Sequence, residues 1–243
     1  MPFIFVTDLE KIYLDEFNRQ ATHALREVTF TVEEGELVGI FGPSGAGKTT
    51  LLSIIGGLLV PTSGEVIIDN QNILNLSDRE LVKFRREKVG YLWQLPEDNL
   101  IGGNTILENV MLPLQIANKP REEQKKIANE LLERLGLAHR KDHKPHQISG
   151  GEAQRVGIAV ALANKPKLLL GDQITGELDT RTSVEVVNHL RSFADEYGTT
   201  MLIVSHKRQF IDSTDVALGI TDGKITTMQR SNENGETGVI NDK

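Results

Sequence analysis

Ile148-Ser149-Gly150-Gly151-Glu152-Ala153-Gln154-Arg155, followed by Leu168-Leu169-Leu170-Gly171-Asp172-Gln173, is the stretch on which the reading of this chain turns. Ser149 carries a hydroxyl suited to capping a helix that starts beside it, and the glycines behind it leave that start open to a phosphate. The helix is expected to reach about Asn164. The apolar run 168–170 is continuous, not alternating, as in a strand covered on both faces. It ends in a carboxylate, Asp172, beside an amide, Gln173.

Upstream lies Gly42-Pro43-Ser44-Gly45-Ala46-Gly47-Lys48-Thr49-Thr50, preceded by a short apolar strand at 37–41 and followed by helix-compatible residues at 48–59. This order matches a phosphate loop in full. Its glycines let backbone N–H groups turn inward around phosphates, Lys48 brings a positive charge, and the Thr49 hydroxyl suits Mg²⁺. Taken alone, such a loop equally fits a kinase or a GTPase.

The order of phosphate loop, Ser149 run and Asp172 strand resembles the nucleotide-binding subunit of ATP-binding-cassette (ABC) transporters, over about residues 3–228. The resemblance implies an α/β fold: a P-loop NTPase core with an antiparallel β subdomain and an inserted helical subdomain at about 95–164. Residues 1–228 then form a single ABC ATPase domain, and the polar residues 229–243 a mobile tail. The cofactors implied are ATP and Mg²⁺. Gly42, Ser44, Gly45, Ala46, Gly47, Lys48, Thr49 and Thr50 would hold the phosphates. Tyr13 stands where the family stacks an aromatic ring on adenine, and Gln94, after Tyr91-Leu92-Trp93, where a glutamine senses Mg²⁺ and water. Thr49, Gln94 and Asp172 would serve the metal, and His206 would contact the γ-phosphate. Gly176-Glu177-Leu178-Asp179 resembles the loop joining two ATP sites. Ser149, Gly151 and Glu152 would serve ATP bound by a second copy of the chain, in a head-to-tail dimer. A membrane permease is the further partner implied, which places the subunit at the cytoplasmic face of the membrane.

Where that family places its catalytic glutamate, this chain has Gln173. An amide hydrogen-bonds water but does not act as a general base, so ATP hydrolysis is expected to be very slow. A Glu→Gln replacement made to trap the closed dimer and natural drift are both open. The otherwise intact set of site residues favours the first, and Gly171 and Ile174, in place of the family's usual Ala and Pro, favour the second.

Glu108-Asn109-Val110 with Leu112-Pro113-Leu114, and Asn164-Lys165-Pro166, resemble the branch containing lipoprotein-releasing, macrolide-efflux and cell-division ATPases. That implies export or mechanotransmission. The alternative, a soluble ABC ATPase of DNA repair or translation, brings two cassettes or a long coiled coil, and this sequence has neither.

Composition sets outer bounds. The 243 residues are 39% hydrophobic and 25% charged, an ordinary globular balance. A net charge of -7 argues against a nucleic-acid partner. The absence of cysteine rules out a disulfide framework. Residues 1–10 lack the pattern of a signal peptide, and no run approaches the length of a membrane span. Further strands are expected at 28–32, 64–69, 89–93 and 201–204, and a hairpin joins 216–220 to 224–227. Helices are expected at 121–135 and at 182–197, the latter with Val184, Val187 and Leu190 on one side.

Overall fold

A computed structural model of the chain describes residues 2–14, 21–174, 180–231 and 237–239. Its strands are β1 (Ile4–Leu14), β2 (Ala21–Val32), β3 (Leu37–Phe41), β4 (Ser63–Ile68), β5 (Gln71–Asn72), β6 (Val89–Leu92), β7 (Leu168–Asp172), β8 (Thr200–Val204), β9 (Val216–Thr221), β10 (Lys224–Ser231) and β11 (Thr237–Val239). Its helices are α1 (Lys48–Ile55), α2 (Asp78–Lys88), α3 (Ile106–Ile116), α4 (Arg121–Arg134), α5 (Gly150–Leu162), α6 (Thr180–Tyr197) and α7 (Arg208–Ile211). Among the described residues no helix is long and apolar enough to cross a membrane. The chain divides into two compact units, Met1–Leu81 with Thr200–Lys243, and Val82–Thr199.

In the first unit, β3 runs parallel to β8 on one side and β9 on the other, and β10 and β11 extend the sheet antiparallel beyond β9. Leu37, Val38, Ile40 and all of β8 are buried, which explains their uninterrupted apolar sequence. A second, antiparallel sheet has the order β2-β1-β4-β5. β1 escapes a period-two reading because its register slips between Val6 and Leu9, with Asp8 at φ 46°. That bulge brings two residues three apart to the same buried face.

The polar stretch from Gln229 begins inside the sheet, not after it. β10 continues to Ser231, and 229–231 pair with 237–239. Polar residues suffice there because β10 pairs through its backbone with β9 on one side and β11 on the other. Arg230 also forms an ion pair with Glu36, and the Ser231 hydroxyl donates to the Thr214 carbonyl at 2.9 Å. Residues 232–236 and 240–243 lie outside the described residues.

In the second unit, β6 and β7 are parallel neighbours. The span expected to be helical carries α3, α4 and α5, with short 3-10 turns between them. α3 opens on a capping box in which the Thr105 hydroxyl accepts from the Glu108 N–H and the Glu108 carboxylate accepts from the Thr105 N–H. α6 buries Val186, Leu190, Phe193 and Ala194, whereas Val184 is 50% exposed. The helix is where the periodicity put it, but turned: Phe193, the bulkiest apolar residue, takes the core side.

Candidate functional site

In the first unit, β3 delivers the chain into the phosphate loop and α1 leaves it. Two glycines explain why the loop has this path. A Cβ on Gly42 would lie 1.9 Å from the Ile220 carbonyl oxygen, and one on Gly47 2.2 Å from the Ala24 carbonyl oxygen. Both also have positive φ, 149° and 99°, so a side chain meets both strain and collision. Gly47 is the N-cap of α1, so no capping side chain covers the helix start. The turn between β9 and β10 braces the loop: the Gly223 N–H donates to the Ala46 carbonyl at 3.2 Å, and the Gly223 carbonyl accepts from Arg26 at 2.8 Å.

Within the loop, Ser44 and Gly45 are exposed, Ala46 is buried, Thr49 is exposed and Thr50 half-buried. Lys48 is buried, and its ammonium donates to the Gly42 carbonyl at 2.9 Å and the Pro43 carbonyl at 2.7 Å. Its charge is thus held on the loop itself. Backbone donors, a helix start and a cation in one concave turn suit a polyphosphate.

Tyr13 is 43% exposed, with the Lys11 ammonium 5.2 Å from its ring centre. It pairs with Thr22, two residues along β2 from the Ala24 carbonyl that presses on Gly47. Tyr13 thus presents an accessible aromatic ring on the same strand pair that meets the loop at Ala24. His206 follows β8 and is exposed. The preceding Ser205 anchors it, donating its N–H to the Ile40 carbonyl and accepting from the Lys207 N–H through its hydroxyl. His206 also lines a cleft of about 740 Å³ with Phe41, Arg208 and Thr227.

The remaining residues lie in the second unit. Ser149 caps α5, its hydroxyl accepting from the Glu152 N–H at 3.3 Å. The Glu152 carboxylate accepts in return from the Ser149 N–H at 2.8 Å and hydroxyl at 3.0 Å, and from Arg140 Nε at 3.0 Å. The Ser149 N–H first, then Arg140, hold the Glu152 carboxyl down at about 2. Gly150 and Ser149 are exposed and Gly151 half-buried, so the helix start is presented at the surface. Arg140 was invisible to motif reading because it belongs to no motif and reaches Glu152 only through the fold.

Asp172 closes β7 and is buried. Gln173 follows at φ 50°, half-buried, and Ile174 is buried again. Gln94 sits in an exposed bend after β6. The loop Gly176-Glu177-Leu178-Asp179 lies outside the described residues.

Comparison with known proteins gives this arrangement its family. Residues 25–176 match the family described as ABC transporter. An ABC transporter ATP-binding protein of Thermotoga maritima is 43% identical over 225 residues, 93% of this chain and 94% of that one. This chain belongs to the ABC transporter family. It is an ABC ATPase domain of mixed α/β architecture, and it binds ATP with Mg²⁺, as such domains do. The methionine import ATP-binding protein MetN 1 of Bacillus thuringiensis is 40% identical over 208 residues. The match covers 86% of this chain but only 60% of that protein's length. Among solved structures, the dimeric bacterial cassette MJ0796 is similar at a TM-score of 0.86 and 40% identity, over 93% of this chain and 98% of that one. A post-hydrolysis dimer of MJ0796 bound to ADP and Pi gives 0.85 at 39% identity over the same shares. CbiO1 of Clostridium perfringens, part of a CbiONQ complex, gives 0.84 at 28% identity, over 93% of this chain and 88% of that one.

Proposed function

We propose that this ABC ATPase domain works as a head-to-tail homodimer that closes around two ATP molecules with Mg²⁺ and drives a membrane permease. The observation that supports this is the surface-presented, Ser149-capped start of α5, with Ser149 and Gly150 both exposed. A helix start so exposed offers N–H groups and a favourable field to a phosphate that another copy brings. The dimeric cassettes with which the chain shares about two-fifths of its residues support the same assembly.

In this reading the phosphate loop and Lys48 bind the β- and γ-phosphates, Tyr13 stacks on adenine, and His206 contacts the γ-phosphate. Thr49, Gln94 and Asp172 would offer Mg²⁺ a hydroxyl, an amide and a carboxylate, the oxygen donors a hard cation prefers. Bound Mg²⁺ would neutralise charge on the transferred phosphoryl group. Gln173 orients water without taking its proton, so closure outlasts turnover. The permease decides direction. The branch resemblance favours export or mechanotransmission, while several relatives carry import in their names. Attachment to that permease places the subunit at the cytoplasmic face of the membrane.

Light scattering on the purified chain tests the assembly. A monomer without nucleotide should become a dimer with ATP and Mg²⁺, and Ser149→Arg should abolish dimerisation while leaving ATP binding intact. A chain that binds ATP yet stays monomeric under all conditions would sink the proposal. Recovery of a permease with the detergent-solubilised complex tests the second partner.

A further inference from the structure

Gln94 is exposed in its bend, but the residues on either side of it are held by one side chain. The Asn99 carboxamide accepts from the Trp93 N–H at 2.8 Å and donates to the Trp93 and Leu95 carbonyls, both at 3.1 Å. Three hydrogen bonds from one planar amide thus fix the backbone before and after Gln94, the residue read above as sensing Mg²⁺ and water. All of these residues lie within the second unit.

Asn99 is itself wedged. It ends a short 3-10 turn, Pro96–Asn99, that packs on α5. The contact point is Gly157: a Cβ there would lie 3.2 Å from Asn99 Cβ, 3.3 Å from Asn99 Cγ and 2.9 Å from Leu92 Cδ1. A helix residue without a side chain is what lets the Asn99 stem rest against the helix backbone. α5 is the helix that Ser149 caps. The Asn99 side chain thus links the Gln94 bend, through its amide, to the Ser149 helix, through its stem.

We propose that Asn99 is a positioning residue for Gln94, setting where the Gln94 amide meets Mg²⁺ and registering that position against α5. The proposal rests on the Gln94 reading given under Proposed function. Asparagine is required by this geometry, because the site asks for one acceptor and two donors on adjacent atoms. The change Asn99→Asp would keep the acceptor for the Trp93 N–H but set a carboxylate oxygen against two carbonyls. Alanine would remove all three bonds.

The test titrates Mg²⁺ into the full-length protein at saturating ATP and reads dimer assembly by light scattering and phosphate release in a single turnover. Asn99→Ala should raise the Mg²⁺ half-point by about 5–30-fold, the scale of one or two lost hydrogen bonds. Affinity for a fluorescent ATP analogue without Mg²⁺ should stay within about twofold, because the three hydrogen bonds of the amide all go to the flanks of Gln94. In a Gln94→Ala background the same change should add nothing, since what Asn99 positions is already gone. Gly157→Ala, which pushes on Asn99 from α5, should move the half-point in the same direction. If Asn99→Ala is too unstable to purify, Gly157→Ala and Asn99→Asp supply the readout. An Asn99 effect that is undiminished without Gln94, or an unmoved Mg²⁺ half-point beside a lowered melting temperature, would overturn the proposal and leave Asn99 a turn residue. If Gln94→Ala alone leaves the half-point unmoved, it is the reading of Gln94 that fails, whatever Asn99→Ala does.

Discussion

Replacing Gln173 by glutamate changes charge while leaving shape almost untouched, which makes it the sharpest probe of turnover. The residue is pinned at φ 50°, between buried Asp172 and buried Ile174, so its backbone cannot readily relocate. Glutamate differs by one atom at the tip and meets the same left-handed strain, so stability should shift by only about 0.5 kcal/mol, as at ordinary partly exposed positions. The chemical difference is large. A carboxylate there can take a proton from water in the transition state, a contribution of about 10²–10⁴-fold. The expected result is a kcat for phosphate release raised by roughly that factor, with KM for ATP little changed, because the base acts on the transition state and not on ground-state binding. The ATP-bound dimer should also become short-lived, as nucleotide is now consumed. Steady-state phosphate release at saturating ATP and Mg²⁺ measures the first effect, and light scattering after ATP addition the second. A gain below about tenfold, in protein that still dimerises with ATP, would refute the argument that this one amide limits hydrolysis.

Further outcomes follow from the same geometry. Gly47→Ala drives a Cβ to 2.2 Å from the Ala24 carbonyl oxygen at a positive φ, so nucleotide binding should be lost. Denaturant unfolding should show a destabilisation of at least about 1–3 kcal/mol, the cost of a strained, overpacked site. Lys48→Ala leaves the Gly42 and Pro43 carbonyls without their ammonium donor and removes the charge that meets phosphate. A fluorescent ATP analogue should bind at least about 10-fold more weakly, one lost charged contact being worth about 1.5–3 kcal/mol. Glu152→Ala breaks the α5 capping box, about 0.5–2 kcal/mol, and should lower the melting temperature by a few degrees. That loss should itself depend on pH. The Glu152 carboxyl titrates lower in the folded chain, at about 2, than in the unfolded one, so its contribution is complete above the ordinary carboxylate range and fades as pH falls towards 2. The melting-temperature gap between the two proteins should therefore narrow in acid, and a gap as wide near pH 2 as at neutral pH would contradict the hold of the Ser149 N–H and Arg140 on the Glu152 carboxylate.

What was legible in the chain was local. The phosphate loop could be read because its requirement for glycine at 42 and 47 is a requirement on single residues, and Ser149 because a capping box spans only three. The apolar runs at 37–41, 168–170 and 201–204 announced covered strands directly, since full burial leaves no polar alternation to interpret. β1 was missed because the bulge at Asp8 breaks the period that would have revealed it. α2 was missed because its charged sequence buries only Phe84.

By itself, then, the sequence determined the family and the order of the motifs, and it named the groups proposed to meet ATP and Mg²⁺. Those properties reside in short segments whose backbone preferences act at the spot. Only the tertiary structure decided which side of α6 faces inward, since a period of 3.6 specifies a stripe but not the neighbour that covers it. The same holds for the supports of the site. Ala24 and Gly223 brace the phosphate loop, Arg140 holds Glu152, and Asn99 grips both flanks of Gln94 while resting on Gly157. Apart from the bonds Asn99 makes to its own neighbours, each is a close approach between separate elements. Folding creates such contacts, and no local pattern encodes them.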